Sequence, residues 1–129
     1  MLQRLCIQNV ALIDGLDLEF TSGLNVLTGE TGAGKSIVID AVNLALGERA
    51  SRELIKHDAE KAKVEAVFTD IDDARILTVL EESGIEAEDE LIVSRELSQN
   101  GKNVCRINGT LVTLSLLKST TDRLVDIHG

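Results

Sequence analysis

Apolar and polar residues alternate in two short segments near the start of the chain. Residues 2–10 and residues 16–20 both show the period of two that is typical of a half-buried strand. The dipeptide Asp14-Gly15 stands between them and is typical of a tight turn. We therefore predict an antiparallel hairpin that leads into a third strand candidate, residues 24–28.

The period changes to that of a helix after residue 36. Apolar side chains then recur at helical spacing, and Gly47 supplies the stop signal expected at a helix end. Residues 48–63 mix charges of both signs and predict at most a short helix, whereas residues 64–68 predict a strand. The apolar stripe of the helix consists of Ile37, Ala41, Leu44 and Ala45.

The middle of the chain predicts a helix and a meander. Residues 72–83 have helical spacing and end at Gly84. Residues 90–112 contain the two strong turn dipeptides Asn100-Gly101 and Asn108-Gly109, which divide them into three antiparallel strands.

The end of the chain predicts a last helix beginning near Leu114, followed by a core strand at residues 124–127. The complete pattern favours an α/β fold. We expect a mixed core sheet next to an antiparallel sheet, and the antiparallel sheet should be built from the hairpin and the 90–112 meander.

One octapeptide, residues 29–36, matches the phosphate-binding pattern GxxxxGK[ST] between the strand candidate 24–28 and the first helix. Glycines let backbone N–H groups approach a polyphosphate closely, and the following helix points its positive end at the same anion. Lys35 is expected to reach the β- and γ-phosphates, and the hydroxyl of Ser36 to bind Mg²⁺. The expected nucleotide-binding residues are Gly29, Glu30, Thr31, Gly32, Ala33, Gly34, Lys35 and Ser36.

Composition narrows the classes of function. The chain has 129 residues, enough for one domain with a core, and the 2 % aromatic content means that this core is aliphatic. Binding of nucleic acid by stacking bases on aromatic side chains is therefore disfavoured. No apolar run approaches the roughly 20 residues that span a bilayer, so we expect a soluble, cytoplasmic protein with no membrane partner.

Charge is concentrated in one segment. Residues 70–90 hold nine acidic residues and a single basic one, Arg75, so they carry −8 of the net charge of −9. Such a segment repels a phosphate backbone, and we expect it to be a solvated helix and loop. Cys6 and Cys105 lack the spacing of a metal or redox motif, and we assign no ligand role to the two histidines.

Several stretches resemble the N-terminal half of an SMC-like ATPase head, namely residues 5–9, 20–23, 27–36 and 39–41. Four stretches resemble the bacterial branch of that superfamily that repairs DNA double-strand breaks, namely residues 28–36, 46–50, 107–110 and 126–129. The resemblance covers nearly the whole chain. It is strongest in residues 24–50 and 104–129, and weakest through the acidic middle.

This resemblance implies a P-loop NTPase, with residues 1–129 as the N-lobe of an ABC/SMC-like head. Similar proteins continue with a long coiled coil and a C-terminal half that supplies the signature motif and the Walker B acids, which are absent here. We therefore expect a fragment that binds ATP and Mg²⁺ and is incomplete for hydrolysis. The implied partners are the missing C-terminal half, a second head in a homodimer, and DNA, and the implied location is the bacterial cytoplasm and nucleoid.

SMC-like heads also carry an arginine-bearing loop close to nucleotide and DNA after this helix. By that resemblance, Arg49, Arg52 and Lys56 are candidates for such contacts. The alternative interpretation is that they are ordinary surface cations balanced by neighbouring acids.

Other classes of protein remain open on the sequence alone. A transporter ATPase subunit usually has an aromatic residue before the loop to stack on adenine, and none precedes Phe20. A small kinase needs a lid and a substrate pocket after the first helix, where a meander is predicted here. The N-lobe of another SMC- or ABC-type ATPase and a non-catalytic P-loop scaffold are the further alternatives.

Overall fold

A sheet of six antiparallel strands organises the part of the chain that the structure describes. The computed structural model describes residues 2–10, 13–19, 40–48, 52–69, 71, 74–86 and 90–128. The strands are β1 (Leu2–Val10), β2 (Ile13–Glu19), β3 (Lys61–Phe68), β4 (Leu91–Ser98), β5 (Asn103–Ile107) and β6 (Thr110–Val112). They lie side by side in the order β2-β1-β3-β4-β5-β6.

Among the described residues, three α-helices and one short 3-10 helix accompany the sheet. Residues 40–45 are the described part of helix α1, which corresponds to the helix predicted after the phosphate-binding motif. The 3-10 helix is Arg52–Leu54, α2 is Ala74–Glu82, and α3 is Leu114–His128. Within the described ranges, no helix is both long enough and apolar enough to cross a membrane.

The predicted hairpin is confirmed, but its predicted turn is wrong. Strand β1 pairs with β2 so that Leu5 lies opposite Leu18 and Val10 lies opposite Ile13. Because β2 already begins at Ile13, Gly15 lies within the strand and pairs with Gln8. The matched apolar residues on one face determine this register, and they outweigh the local turn preference of Asp14-Gly15.

The predicted meander is confirmed as β4, β5 and β6. Gly101 and Gly109 have φ angles of +91° and +82°, as expected for the turns at their Asn-Gly dipeptides. Strand β3 begins at Lys61, three residues before the predicted strand, and pairs with both β1 and β4. It thereby joins the hairpin and the meander into one antiparallel sheet, as predicted for these two parts of the chain.

One face of this sheet and the helices enclose an aliphatic core. Side chains of β3 alternate between buried and partly exposed, and the buried ones lie in the same cluster as α1, α2 and α3. In α1 the predicted stripe residues Ala41, Leu44 and Ala45 are all buried. The predicted second helix is also confirmed, with Ile76 and Leu80 buried and Gly84 at a φ of +77°.

The predicted core strand at residues 124–127 is wrong, because α3 continues through this segment to His128. Thr113 immediately precedes the helix and caps its start, because its hydroxyl accepts a hydrogen bond from the backbone N–H of Leu116. Val125 and Ile127 favour a strand locally, but a strand needs a neighbour for its backbone groups, whereas a helix satisfies them internally.

Candidate functional site

The predicted nucleotide-binding residues Gly29–Ser36, with the proposed Mg²⁺ ligand Ser36, lie outside the described residues, as does the strand candidate 24–28. The structure does describe the other end of the helix that follows the motif. Hydrogen bonds from three side chains and one close backbone contact hold that end against the sheet and α3.

Helix α1 ends in a Schellman motif at Gly47. The N–H of Glu48 donates to the carbonyl of Asn43 at 3.0 Å, and the N–H of Gly47 donates to the carbonyl of Leu44 at 3.2 Å. This geometry needs a left-handed residue at position 47, and Gly47 has a φ of +99°. The chain therefore turns sharply away from the helix immediately before residue 49.

A buried arginine on β4 caps the same helix end. Arg95 is 1 % exposed, and its Nη1 donates to the carbonyls of Leu44 at 2.9 Å and Glu48 at 2.7 Å. Its Nη2 donates to the side-chain oxygen of Asn103 on β5 at 2.9 Å. One guanidinium group thus joins the helix end, the residue after it and the neighbouring strand.

Electrostatics explain how a charge is tolerated at this buried position. Burial lowers the pKa of the Arg95 guanidinium, but arginine remains protonated in proteins because its ordinary pKa is so high. No carboxylate within the described residues forms an ion pair with it. The compensation comes from carbonyl oxygens at the negative end of the α1 dipole, where a cation is favoured.

Helix α3 supports the same helix end from the other direction. The Thr121 hydroxyl donates to the carbonyl of Leu46, and the ammonium of Lys118 lies 3.4 Å from the carboxylate of Glu48. A Cβ atom built on Gly47 would lie 3.0 Å from the Lys118 Cβ and 3.1 Å from its Cα. The absence of a side chain at Gly47 therefore permits α3 to pack directly on the turn.

The three residues predicted for an arginine-bearing loop have different outcomes. Arg49 lies outside the described residues, and the backbone of Arg52 starts the 3-10 helix. The Lys56 ammonium lies 2.8 Å from the Asp58 carboxylate and 3.1 Å from the Asp14 carboxylate. The hydrogen bond to Asp58 has the larger effect and that to Asp14 the smaller, and both raise the pKa of Lys56. Its charge is thus already balanced on the hairpin side of the sheet.

Side chains of the metal-binding types do not cluster within the part of the chain that the structure describes. Among the described residues, no group of three or more His, Cys, Asp or Glu side chains could hold a metal ion. Cys6 and Cys105 are both free, and burial raises the pKa of each thiol. Cys6 is partly exposed in β1, and Cys105 is buried in β5.

Sequence reasoning missed Arg95, Asn103 and Thr121. A signal for Arg95 was present, because it occupies a core-facing position on β4 between the buried Val93 and Leu97. A charge at such a position requires buried hydrogen-bond partners. The pattern could not identify those partners, since Leu44 and Arg95 are 51 residues apart in the sequence.

The comparison with protein families defines the class of this protein. The model of the AAA domain family matches residues 4–127, which is nearly the whole chain. The chain therefore belongs to the AAA domain family.

Within that class, the chain is similar over its full length to proteins named DNA repair protein RecN. The RecN of Bacillus subtilis strain 168 is 48 % identical over 130 residues, and that of Halalkalibacterium halodurans is 46 % identical over 130 residues. Each alignment covers 100 % of this chain and 23 % of the relative, so the chain spans about a quarter of their length. The resemblance predicted from the motifs is confirmed, and the chain is RecN-like.

Solved structures confirm the fold class. The SMC head domain from Thermotoga maritima has a TM-score of 0.68 and 26 % identity, covering 92 % of this chain and 41 % of that one. A chain from a study of ATP-driven dimerization and DNA-stimulated activation of SMC ATPases has a TM-score of 0.74 at 22 % identity. That match covers 96 % of this chain and 79 % of the other, and at this identity it bears on the fold alone.

Proposed function

We propose that this chain is the ATP-binding N-terminal part of a RecN-like ATPase that acts in DNA repair and recombination. The observation that carries the proposal is the complete GxxxxGKS motif in a chain of the AAA domain family. The similarity to RecN proteins supports the assignment to DNA repair.

The residues of the motif have distinct proposed roles. Backbone N–H groups of Gly29 to Gly34 surround the phosphates, and the Lys35 ammonium neutralises charge on the β- and γ-phosphates. Ser36 would hold Mg²⁺ through its hydroxyl, and the ion would supply positive charge that offsets the charge of the phosphates. The first turn of α1 adds the positive end of a helix dipole.

Hydrolysis needs more than this motif supplies. Phosphoryl transfer depends on a positioned water and on charge stabilisation at the transition state. In the proposed complete protein, a C-terminal half of the head and a second head in a homodimer provide these groups. Residues 1–129 alone should therefore bind ATP with negligible turnover, and a clear Mg²⁺-dependent turnover abolished by Lys35→Ala would contradict this part of the proposal.

Titration calorimetry with ATP, in the presence and absence of Mg²⁺, tests the binding site. Lys35→Ala removes a charge-assisted contact worth about 1.5–3 kcal/mol, so the Kd should rise by about 10- to 100-fold. Lys102→Ala, in the exposed turn between β4 and β5, is the matched control and should bind like the wild type. The affinity of Ser36→Ala for ATP should no longer depend on Mg²⁺. Equal ATP affinities of wild type and Lys35→Ala would refute the proposed site.

The DNA contacts belong to the complete protein in this proposal. Charge reversal at Arg49 and Arg52 should reduce DNA-stimulated ATP hydrolysis, with Lys102→Glu as the control. Lys56 is expected to contribute less, since Asp14 and Asp58 already balance its charge. Unchanged DNA stimulation in the double reversal would remove the loop from the proposal.

The proposed location is the bacterial cytoplasm and nucleoid, which a fluorescent fusion followed after DNA damage would test.

A further inference from the structure

Arg95 is a buried charge that the proposed phosphate contacts do not use. It lies in the middle of the sheet, with Val64 of β3 opposite on one side and Cys105 of β5 opposite on the other. An apolar side chain would fill this position without the cost of desolvating a cation. An apolar side chain could not, however, bond to the carbonyls of Leu44 and Glu48.

The three acceptors of Arg95 belong to three segments of the chain. Leu44 is in the last turn of α1, Glu48 follows the Gly47 turn, and Asn103 begins β5. A guanidinium group is planar and presents its donors in a rigid fork. Three acceptors therefore restrain both the distance and the orientation of the helix end relative to the sheet.

We propose that Arg95 is a positioning residue for the nucleotide site, acting through α1. The inference rests on the proposed function, because it supposes that the motif at residues 29–36 binds ATP at the start of this helix. A helix transmits the position of one end to the other, since it rises 1.5 Å per residue with little bending. With the helix beginning near Gly34, as the sequence predicts, a tilt of about 10° at Leu44 displaces its start by roughly 2.5 Å.

A displacement of that size matters for phosphate binding. Hydrogen bonds to phosphate oxygens are formed over only a few tenths of an ångström, and they weaken steeply when the donors are misaligned. Loss of the Arg95 fork is therefore expected to weaken ATP binding without removing any group that touches the nucleotide. If Arg95 served stability alone, its substitution would lower the free energy of unfolding and leave the ATP affinity of the folded protein unchanged.

The experiment compares Arg95→Met and Arg95→Lys with Arg106→Met as the control. Arg106 lies next to Cys105 on β5, on the opposite face of the sheet, and it is partly exposed. For each variant, urea unfolding defines the conditions under which the protein is folded. Calorimetry with ATP and Mg²⁺ and amide hydrogen exchange of residues 44–48 are then measured under those conditions.

Folded Arg95→Met should bind ATP about tenfold more weakly and exchange the amides of Gly47 and Glu48 at least tenfold faster than wild type. Arg95→Lys keeps the charge and loses the fork, so its affinity should fall at least threefold. Arg106→Met should stay within twofold of wild type in both measurements.

Wild-type affinity in folded Arg95→Met would overturn the inference. If Arg95→Met does not fold, Arg95→Lys decides in its place, and a wild-type Kd in that variant overturns the inference equally. If wild-type protein itself binds no ATP, the proposed function fails and the positioning role falls with it. Hydrogen exchange then separates the two failures, since faster exchange confined to residues 44–48 would still show that Arg95 anchors the helix end.

Discussion

Two glycines end two helices in the same way, and they provide a sharp test of how α3 packs. Gly84 after α2 has the same Schellman hydrogen bonds as Gly47 after α1, from Ile85 N–H to the Leu80 carbonyl and from Gly84 N–H to the Glu81 carbonyl. Both glycines have positive φ angles, +99° at Gly47 and +77° at Gly84. They differ in what a side chain would meet.

An alanine at Gly84 would meet no atom within 4 Å. Gly84→Ala should therefore cost only the left-handed conformation, about 1–2 kcal/mol, less the entropy that alanine removes from the unfolded chain. A net loss of about 1 kcal/mol is expected. Gly47→Ala carries the same backbone cost, but its Cβ would lie 3.0 and 3.1 Å from the Cβ and Cα of Lys118.

The backbone of α3 must move to relieve that contact. Overpacking of this kind costs about 1–3 kcal/mol, so Gly47→Ala should lose roughly 2–4 kcal/mol in all. Shifting α3 would also strain the hydrogen bond from Thr121 to the Leu46 carbonyl. The expected difference between the two variants is therefore about 1–3 kcal/mol.

Urea unfolding followed by far-UV circular dichroism measures both variants. The chain has no Trp or Tyr, so intrinsic fluorescence is a poor probe. Equal losses of stability in Gly47→Ala and Gly84→Ala, within about 0.5 kcal/mol, would refute direct packing of α3 on the turn. A larger loss for Gly84→Ala would refute it equally.

Two further predictions concern the sheet. The hydrogen bond from Lys61, and to a smaller extent the charge of Arg106, holds the pKa of Glu96 below its usual value. The ionised Glu96 side chain therefore stabilises the fold above about pH 4.5, and this stabilisation is lost as the pH falls through the folded-state pKa. Glu96→Gln should thus be less stable than wild type by up to about 1 kcal/mol at pH 7. In urea titrations, this difference in the free energy of unfolding should narrow below about pH 4.5. A difference that widens there would contradict the prediction. Cys105 is 4 % exposed and Cys6 is partly exposed, so a thiol reagent should modify Cys6 first in the native protein. Mass spectrometry measures the two modification rates, and equal rates would be inconsistent with the burial of Cys105.

Much of the fold could be predicted because its signals are local. Alternation over residues 2–10 and 16–20, the two Asn-Gly dipeptides and the stop signals at Gly47 and Gly84 each act within a few residues. The corresponding elements are observed. The two failures, the turn at Asp14-Gly15 and the strand at residues 124–127, occurred where pairing or packing outweighed a local preference.

The sequence alone also determined the candidate site. The GxxxxGKS motif predicts a phosphate-binding chemistry from the types of its residues, and the role of residues 29–36 stays a prediction from that pattern. The match to the AAA domain family and the similarity to RecN agree with the resemblance read from the motifs.

Only the tertiary structure revealed what holds the helix after that motif. Arg95 bonds to Leu44 across 51 residues of sequence, and Thr121 bonds to Leu46 across 75. Such partners are brought together by the pairing of β4 with β5 and by the packing of α3. A local pattern can show that a buried charge needs partners, but which groups satisfy it depends on the arrangement of the whole chain in space.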